Sequence, residues 1–248
     1  MKAFLAQRSD KPERMDDAAQ GGAELREALR HLRRLNRIFG ASAPVLYGVK
    51  RLWRDSGKPR RFTVLDVGSG SGDLNRGLLR WADRQGLDVQ VILADVTEEA
   101  REEAEHLFRD EPRVAFVKSD AFDLPAGYAD YVTASQFAHH FPPDRLPSLI
   151  GHLIEVSRYG AVINDIHRHI VPWTAVWIAT RLVSGNRYIR HDGPLSVAKG
   201  FRRADFETAA PPLETAVMQV RWRPLFRYAV TIRKQREEPG EWTRKLTP

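Results

Sequence analysis

The stretch Val64-Leu65-Asp66-Val67-Gly68-Ser69-Gly70-Ser71-Gly72-Asp73-Leu74 constrains this chain more than any other, because a short apolar run meets three alternating glycines and then a helical pattern. The run reads as a buried strand, and the glycines permit positive φ and close approach of backbone to a ligand. The helix that follows starts with open amides facing that ligand. Strand, glycine turn and helix in this order form the opening unit of an open α/β sheet, whose ligands sit beyond the carboxyl ends of the strands where strand order reverses.

Dinucleotide-binding turns carry glycines too, so spacing has to separate the two. Their third glycine falls three positions after the second, and Asp73 occupies that position here. The pattern is GxGxG followed by an acid. A carboxylate at the helix start repels a pyrophosphate, whereas it suits the ammonium or sulfonium end of a cationic cofactor.

The remaining apolar runs alternate with helical patterns. After FTVLDVG come a helix through Leu79 and Trp81, the run VQVILADV, a helix through Leu107, then VAFVKSD, ADYVTAS, a helix from Pro143 to Ser157, and GAVIND. Five strands with helical crossovers predict a parallel sheet covered on both faces. LETAVMQVRW and FRYAVTIRK, split by a turn at Arg223 and Pro224, read as a closing antiparallel pair. Ahead of the sheet, Leu25, Leu29, Leu32, Leu35 and Ile38 recur at helical spacing with Arg26, Arg30, Arg33, Arg34 and Arg37 between them, and Gly40 ends the pattern. The arginines read either as a solvated outer face or as a surface for RNA. Ala43 to Trp53 predicts a second short helix. The chain thus divides into a helical extension or lid (1–57), a catalytic domain (58–234) with a cap insertion at about 166–200, and a loosely ordered tail (235–248).

This arrangement resembles the class I S-adenosylmethionine-dependent methyltransferases, on the glycine turn and on two aspartates at strand ends. The resemblance spans Arg61 to Asp165 and implies a Rossmann-like, doubly wound α/β fold with seven strands, mostly parallel with an antiparallel last strand, behind an N-terminal helical extension. It implies S-adenosyl-L-methionine as cofactor and S-adenosyl-L-homocysteine as product. Asp66, Gly68, Ser69, Gly70, Asp73 and Leu74 then belong to the cofactor site. Asp95, followed by Val96, looks like the ribose carboxylate, able to accept from both sugar hydroxyls. Asp120, followed by Ala121, resembles the acceptor for the adenine amino group. The bland alternative makes Asp95 and Asp120 ordinary N-caps or turn residues.

Methyl transfer from a sulfonium is an in-line displacement that requires positioning and exclusion of water, and a hydroxyl acceptor must also lose a proton. In the resembling family the segment after the fourth strand lines the space between cofactor and acceptor, here Ser135-Gln136-Phe137-Ala138-His139-His140-Phe141. His139 and His140 are therefore the leading candidates for base or acceptor anchor, with His167 and then His169 second. The alternative has one histidine packed under the helix and the other capping it. VPWTAVWIATRLV, with Pro172 placed to start a helix and Trp173, Val176, Trp177 and Thr180 on one stripe, reads as core packing or as a lid over the acceptor. The charged and turn residues from Arg190 to Val197 complete that wall.

The basic helix ending in Asn36-Arg37, the paired histidines, NDI and HDGPLSV are also similar to bacterial methyltransferases of aromatic polyketide and quinone-like products. That implies secondary metabolism and methylation of a hydroxyl, less often a ring carbon, on a small aromatic acceptor, with Arg37 reaching the cofactor carboxylate or closing the pocket. The net charge of +7 keeps an RNA methyltransferase in view, as ribose or base modifier. Against it, the chain has no cysteine for C5 methylation and no Asn/Asp-Pro-Pro-aromatic motif at Ser135 to Ala138. A lipid or quinone acceptor met at a membrane surface is the other rival, as is cofactor binding without catalysis. No metal is expected: the missing cysteines exclude thiolate sites, and they fit a reducing cytoplasm. Neither a secretory signal nor a membrane span is expected, since the run from Ile170 to Val183 is too short and holds Pro172 and Arg181.

Overall fold

Seven strands are present in the computed structural model, which describes residues 3–16, 21–212 and 214–235. They are β1 (Arg61–Val67), β2 (Asp88–Asp95), β3 (Val114–Lys118), β4 (Ala129–Ser135), β5 (Ser157–Ile166), β6 (Ala216–Arg223) and β7 (Arg227–Lys234). All seven join one sheet in the order β3-β2-β1-β4-β5-β7-β6. Strands β1 to β5 run parallel, and β7 enters antiparallel between β5 and β6. In the sheet's centre Val64 opposes Val91 on β2 and Tyr131 on β4. Strand order reverses between β1 and β4, so their carboxyl ends flank the crevice where open α/β sheets take ligands.

The described residues form eight α-helices, α1 (Ala23–Ile38), α2 (Ser42–Asp55), α3 (Arg76–Gln85), α4 (Glu98–Leu107), α5 (Leu146–Val156), α6 (Ile170–Val183), α7 (Arg187–Lys199) and α8 (Arg203–Thr208), of which α1, α6 and α7 pack on one another rather than on the sheet. Local chemistry sets their ends. Thr97 caps α4 by accepting from Ala100, and Gly86 ends α3 in a left-handed conformation. One core lies between the sheet and α5 with α8, built from Leu65, Ile150, Ile163 and Phe206 among others. The other lies between the sheet and α2, α3 and α4, with Val49, Leu78, Tyr131 and Val162. Burial on both faces explains why β1, β4 and β5 read as continuous apolar runs rather than alternating ones.

Three features differ from expectation. The run HDGPLSV is helical, inside α7, because Asn186 caps that helix by accepting from the amides of both Tyr188 and Ile189. Three of the five arginines of α1 are not a free outer face, while Arg34 and Arg37 are exposed. Arg26 pairs with Glu102 at 3.1 Å, and Arg30 and Arg33 both pair with Glu103 at 3.0 Å, so α1 is clasped onto α4. Residues 3–16, which carry no periodic pattern, thread along α7: Ser9 donates to the Ala198 carbonyl, and Asp192 accepts from the amides of Arg14 and Met15. The expected tail lies outside the described residues beyond Gln235. Among the described residues no helix is long and apolar enough to cross a membrane.

Candidate functional site

Gly68, Gly70 and Gly72 all have positive φ, of 60°, 52° and 70°, which folds the chain back sharply after β1. A Cβ on Gly68 would stand 2.2 Å from the Phe137 ring, so glycine is required for Phe137 to lie against the turn. The turn is tied to β2: Ser69 donates to the Ala94 carbonyl at 3.1 Å and Gly70 to Asp95 Oδ2 at 2.9 Å. Asp95 Oδ1 also accepts the amide and hydroxyl of Thr97. A carboxylate offers about four acceptor positions. Three are engaged among the described residues, two on Oδ1 and one on Oδ2. Val96 beside it is exposed.

Asp120 is exposed at the end of β3, where Oδ1 accepts the Phe122 amide at 2.8 Å and caps a short turn, with Ala121 buried behind it. Asp120 is thus a cap, as its bland reading had it, with Oδ2 free of hydrogen bonds among the described residues. Asp66 does not face the crevice. It is buried under the turn, accepts from Thr133 at 2.7 Å and Asn75 at 2.6 Å, and burial pushes its carboxyl up to about 6 against those two bonds. Its place in the fold is to brace β1 against β4 and the start of α3. Ser69 Oγ and Ser135 Oγ, at the turn and at the end of β4, are buried without a hydrogen-bond partner among the described residues. Buried polar atoms are rarely left unpaired, so these two hydroxyls fit a crevice that holds a polar ligand.

A polar chain crosses the carboxyl end of the sheet. Asn36 donates to Asp73, Gln136 donates to Asn36 at 2.8 Å, and Arg227 donates to Gln136 at 3.3 Å. Burial raises the Asp73 carboxyl, opposed by its bonds from Asn36 and Ser71. Arg37, expected at this place, is instead exposed. It lines a cavity of about 480 Å³ together with Asn36, Asp73, Leu74 and Arg76, so it stands beside the Asn36–Asp73 contact without joining it. Leu29 of α1 completes the roof, 3.6 Å from where a Cβ of Gly70 would be. No sequence signal announces Gln136 or Arg227, because their partners lie about a hundred residues away.

The two histidines after β4 stack, with centroids 4.4 Å apart, yet differ in surroundings. His139 is 2% exposed, with Nδ1 2.8 Å from Asp165 and Nε2 3.5 Å from Glu13. Burial disfavours its charged form, but the Asp165 and Glu13 carboxylates outweigh that and hold it at about 9. With a carboxylate on each nitrogen it is a cation at neutral pH and no proton acceptor. His140 keeps only one partner: Asp16 lies 2.9 Å from Nδ1, and Nε2 is unbonded among the described residues. Its ring also neighbours Phe137, centroids 6.5 Å apart. Glu13, His139 and His140 place three metal-ligand atoms within 4.8 Å, but the Lys199 ammonium already stands 3.4 Å from Glu13 and supplies positive charge there. His167, just after β5, has a buried Nδ1 with no hydrogen-bond partner among the described residues, and burial and the neighbouring His169 hold it below its ordinary value. Its ring stacks on Phe226, as does that of His169.

Residues 64–160 match the model of a methyltransferase domain. No curated protein sequence matches the chain. Among solved structures, the plantazolicin methyltransferase BpumL with S-adenosylhomocysteine superposes with a TM-score of 0.62 at 14% identity, over 86% of this chain and 96% of that one. A S-adenosylmethionine-dependent methyltransferase from Aquifex aeolicus gives 0.55 at 17% identity, over 85% and 98%. Human N-acetylserotonin methyltransferase gives 0.57 at 14%, over 86% of this chain and 57% of its own length. Residues 64–160 carry the match to a methyltransferase domain, and the sheet around them has the fold of solved S-adenosylmethionine-dependent methyltransferases.

Proposed function

We propose that this enzyme transfers a methyl group from S-adenosyl-L-methionine to a hydroxyl oxygen of a small aromatic molecule, with His140 as the base. The carrying observation is the His140–Asp16 contact: a carboxylate on Nδ1 fixes the tautomer that leaves the Nε2 lone pair free, on a ring that neighbours Phe137, itself packed against Gly68. When bound, the donor supplies a methyl carbon made electrophilic by its sulfonium. The chain's own residues do the rest. Gly68, Ser69, Gly70 and Leu74 shape the turn that receives the donor, Asp95 and Val96 border its ribose, Asp120 and Ala121 its adenine, and Ser135 its amino-acid end. Asp66, Asp73 and Arg37 act from behind, by bracing or closing that turn.

At an acceptor hydroxyl, His140 Nε2 would take the proton as the oxygen gains the methyl group that a bound donor would supply, the donor leaving as its neutral thioether. His139 positions His140 by stacking, locked between Asp165 and Glu13. Phe137, Phe226, His167 and His169 offer flat faces to a planar acceptor. The division into a lid (1–57), a catalytic domain (58–234) and a cap (166–200) goes with this assignment. Engagement of Arg26, Arg30 and Arg33 by Glu102 and Glu103 favours a small acceptor over RNA, since those three side chains are already held in ion pairs. Labelled-methyl transfer to a panel of phenols tests the reading. His140→Ala should cut turnover about a hundredfold or more with homocysteine-product affinity intact. Unchanged turnover removes His140 from the role, and no transfer to any phenol removes the acceptor class.

A further inference from the structure

Helix α6 has two apolar faces. One packs Ala179 and Val183 against Ala28, Leu35, Tyr188 and Ile189 of α1 and α7. The other carries Val171, Ile178 and Leu182 on one stripe with Trp177 beside it, all exposed, Leu182 at 82% and Val171 at 51%. Phe4 extends this surface, exposed and set edge-on to Trp173 with centroids 5.2 Å apart. Apolar side chains contiguous on one outer helix face mark an interaction site, unlike the same residues scattered singly.

Charge identifies the partner. From His167 to His191 the chain holds four arginines and no aspartate or glutamate. Arg168 is buried and Arg187 pairs with Glu24 at 2.8 Å. Arg181 and Arg190 have no acidic partner among the described residues. Arg181 lies over the Trp177 ring at 3.8 Å, and Arg190 donates to the Ser184 carbonyl at the end of α6. An isologous contact between two copies would bring these cations together with no acid on the patch to meet them. A bilayer rich in anionic headgroups meets them directly, while the apolar stripe enters the acyl boundary. At 14 residues α6 spans roughly 21 Å, less than the roughly 30 Å of a hydrocarbon core, so it lies along the surface rather than across it.

We propose that the outer face of α6, with Phe4, docks onto a membrane surface containing anionic lipid. Because α6 follows β5 directly, the docked face is at the carboxyl end of the sheet, the end that carries the glycine turn. Docking does not depend on what is methylated.

The test is co-sedimentation of the full chain with vesicles of phosphatidylcholine alone and of phosphatidylcholine with phosphatidylglycerol. Binding is expected to the mixed vesicles, weaker by about tenfold without phosphatidylglycerol and reduced by salt. The double variant Ile178→Asp, Leu182→Asp, both side chains exposed, should reduce binding at least about tenfold with the melting temperature unchanged. Arg181→Glu should reduce it on mixed vesicles only. Absence of binding, binding indifferent to both variants, or a dimer in solution that the double variant dissociates would each overturn the proposal, the last by assigning the face to a second copy of the chain.

Discussion

The Gly70 amide donates to Asp95 Oδ2 over 2.9 Å, joining the turn after β1 to the end of β2. One carboxylate therefore shapes the turn and, on the proposed assignment, borders the ribose. Asp95→Ala is expected to weaken binding of S-adenosylhomocysteine ten- to a hundredfold or so, the loss of about 1.5–3 kcal/mol that hydrogen bonds to a charged group carry. Calorimetry reads this directly. Gly68→Ala, which meets Phe137 and a positive φ, should weaken it too. Full affinity in both variants would place the donor elsewhere.

His139 is expected to matter to folding more than to proton transfer. Its carboxylate partners hold it at about 9 against an ordinary 6.5, so its stabilisation is complete below 6.5 and is lost as pH rises through 9. Glu13 is the same contact from the other side. Burial raises it, but the His139 bond and charge bring it from 4.5 to about 2, so that stability is present above 4.5 and lost toward 2. Counted once, the clamp of His139 by Asp165 and Glu13 together contributes on the order of 3 kcal/mol. Urea unfolding should show stability falling between pH 6.5 and 9, and His139→Asn should flatten that fall. An equally steep fall in the variant would assign it to other groups.

Much of the architecture was legible because its determinants are local. The glycine turn, the runs of β1 to β5 and the leucine period of α1 each lie within about a dozen residues, the range over which pattern reports on structure. The His139 clamp was not legible. Glu13 and Asp165 lie far from it in sequence, and nothing in Glu13's surroundings says that residues 3–16 run along α7. Asp66 was placed in the ligand crevice because it adjoins the glycines, but adjacency along a strand does not say which way a side chain points.

Glu103 on α4 holds both Arg30 and Arg33 and is 6% exposed. Glu103→Gln should loosen α1 over the turn, at a cost of about 1–3 kcal/mol. Hydrogen exchange at residues 23–38 should quicken, and S-adenosylhomocysteine should dissociate faster. Unchanged exchange would mean that Leu25, Leu29 and Leu35 hold the helix without the clasp.

His140→Ala and His139→Asn separate proton transfer from positioning. The first should lower kcat with KM for the donor unchanged. The second should lower stability as well, and its activity should fall as His140 loses its stacked neighbour. An identical pH–rate profile in wild type and His140→Asn would remove the base assignment.

Calorimetric titration of the wild-type chain and of Asp95→Ala with S-adenosylhomocysteine tests the central claim most directly. The predicted result is saturable binding at one site per chain, at least about tenfold weaker in the variant. Absence of heat in the wild type, or equal affinity in the two proteins, would contradict a donor site built on the glycine turn and Asp95.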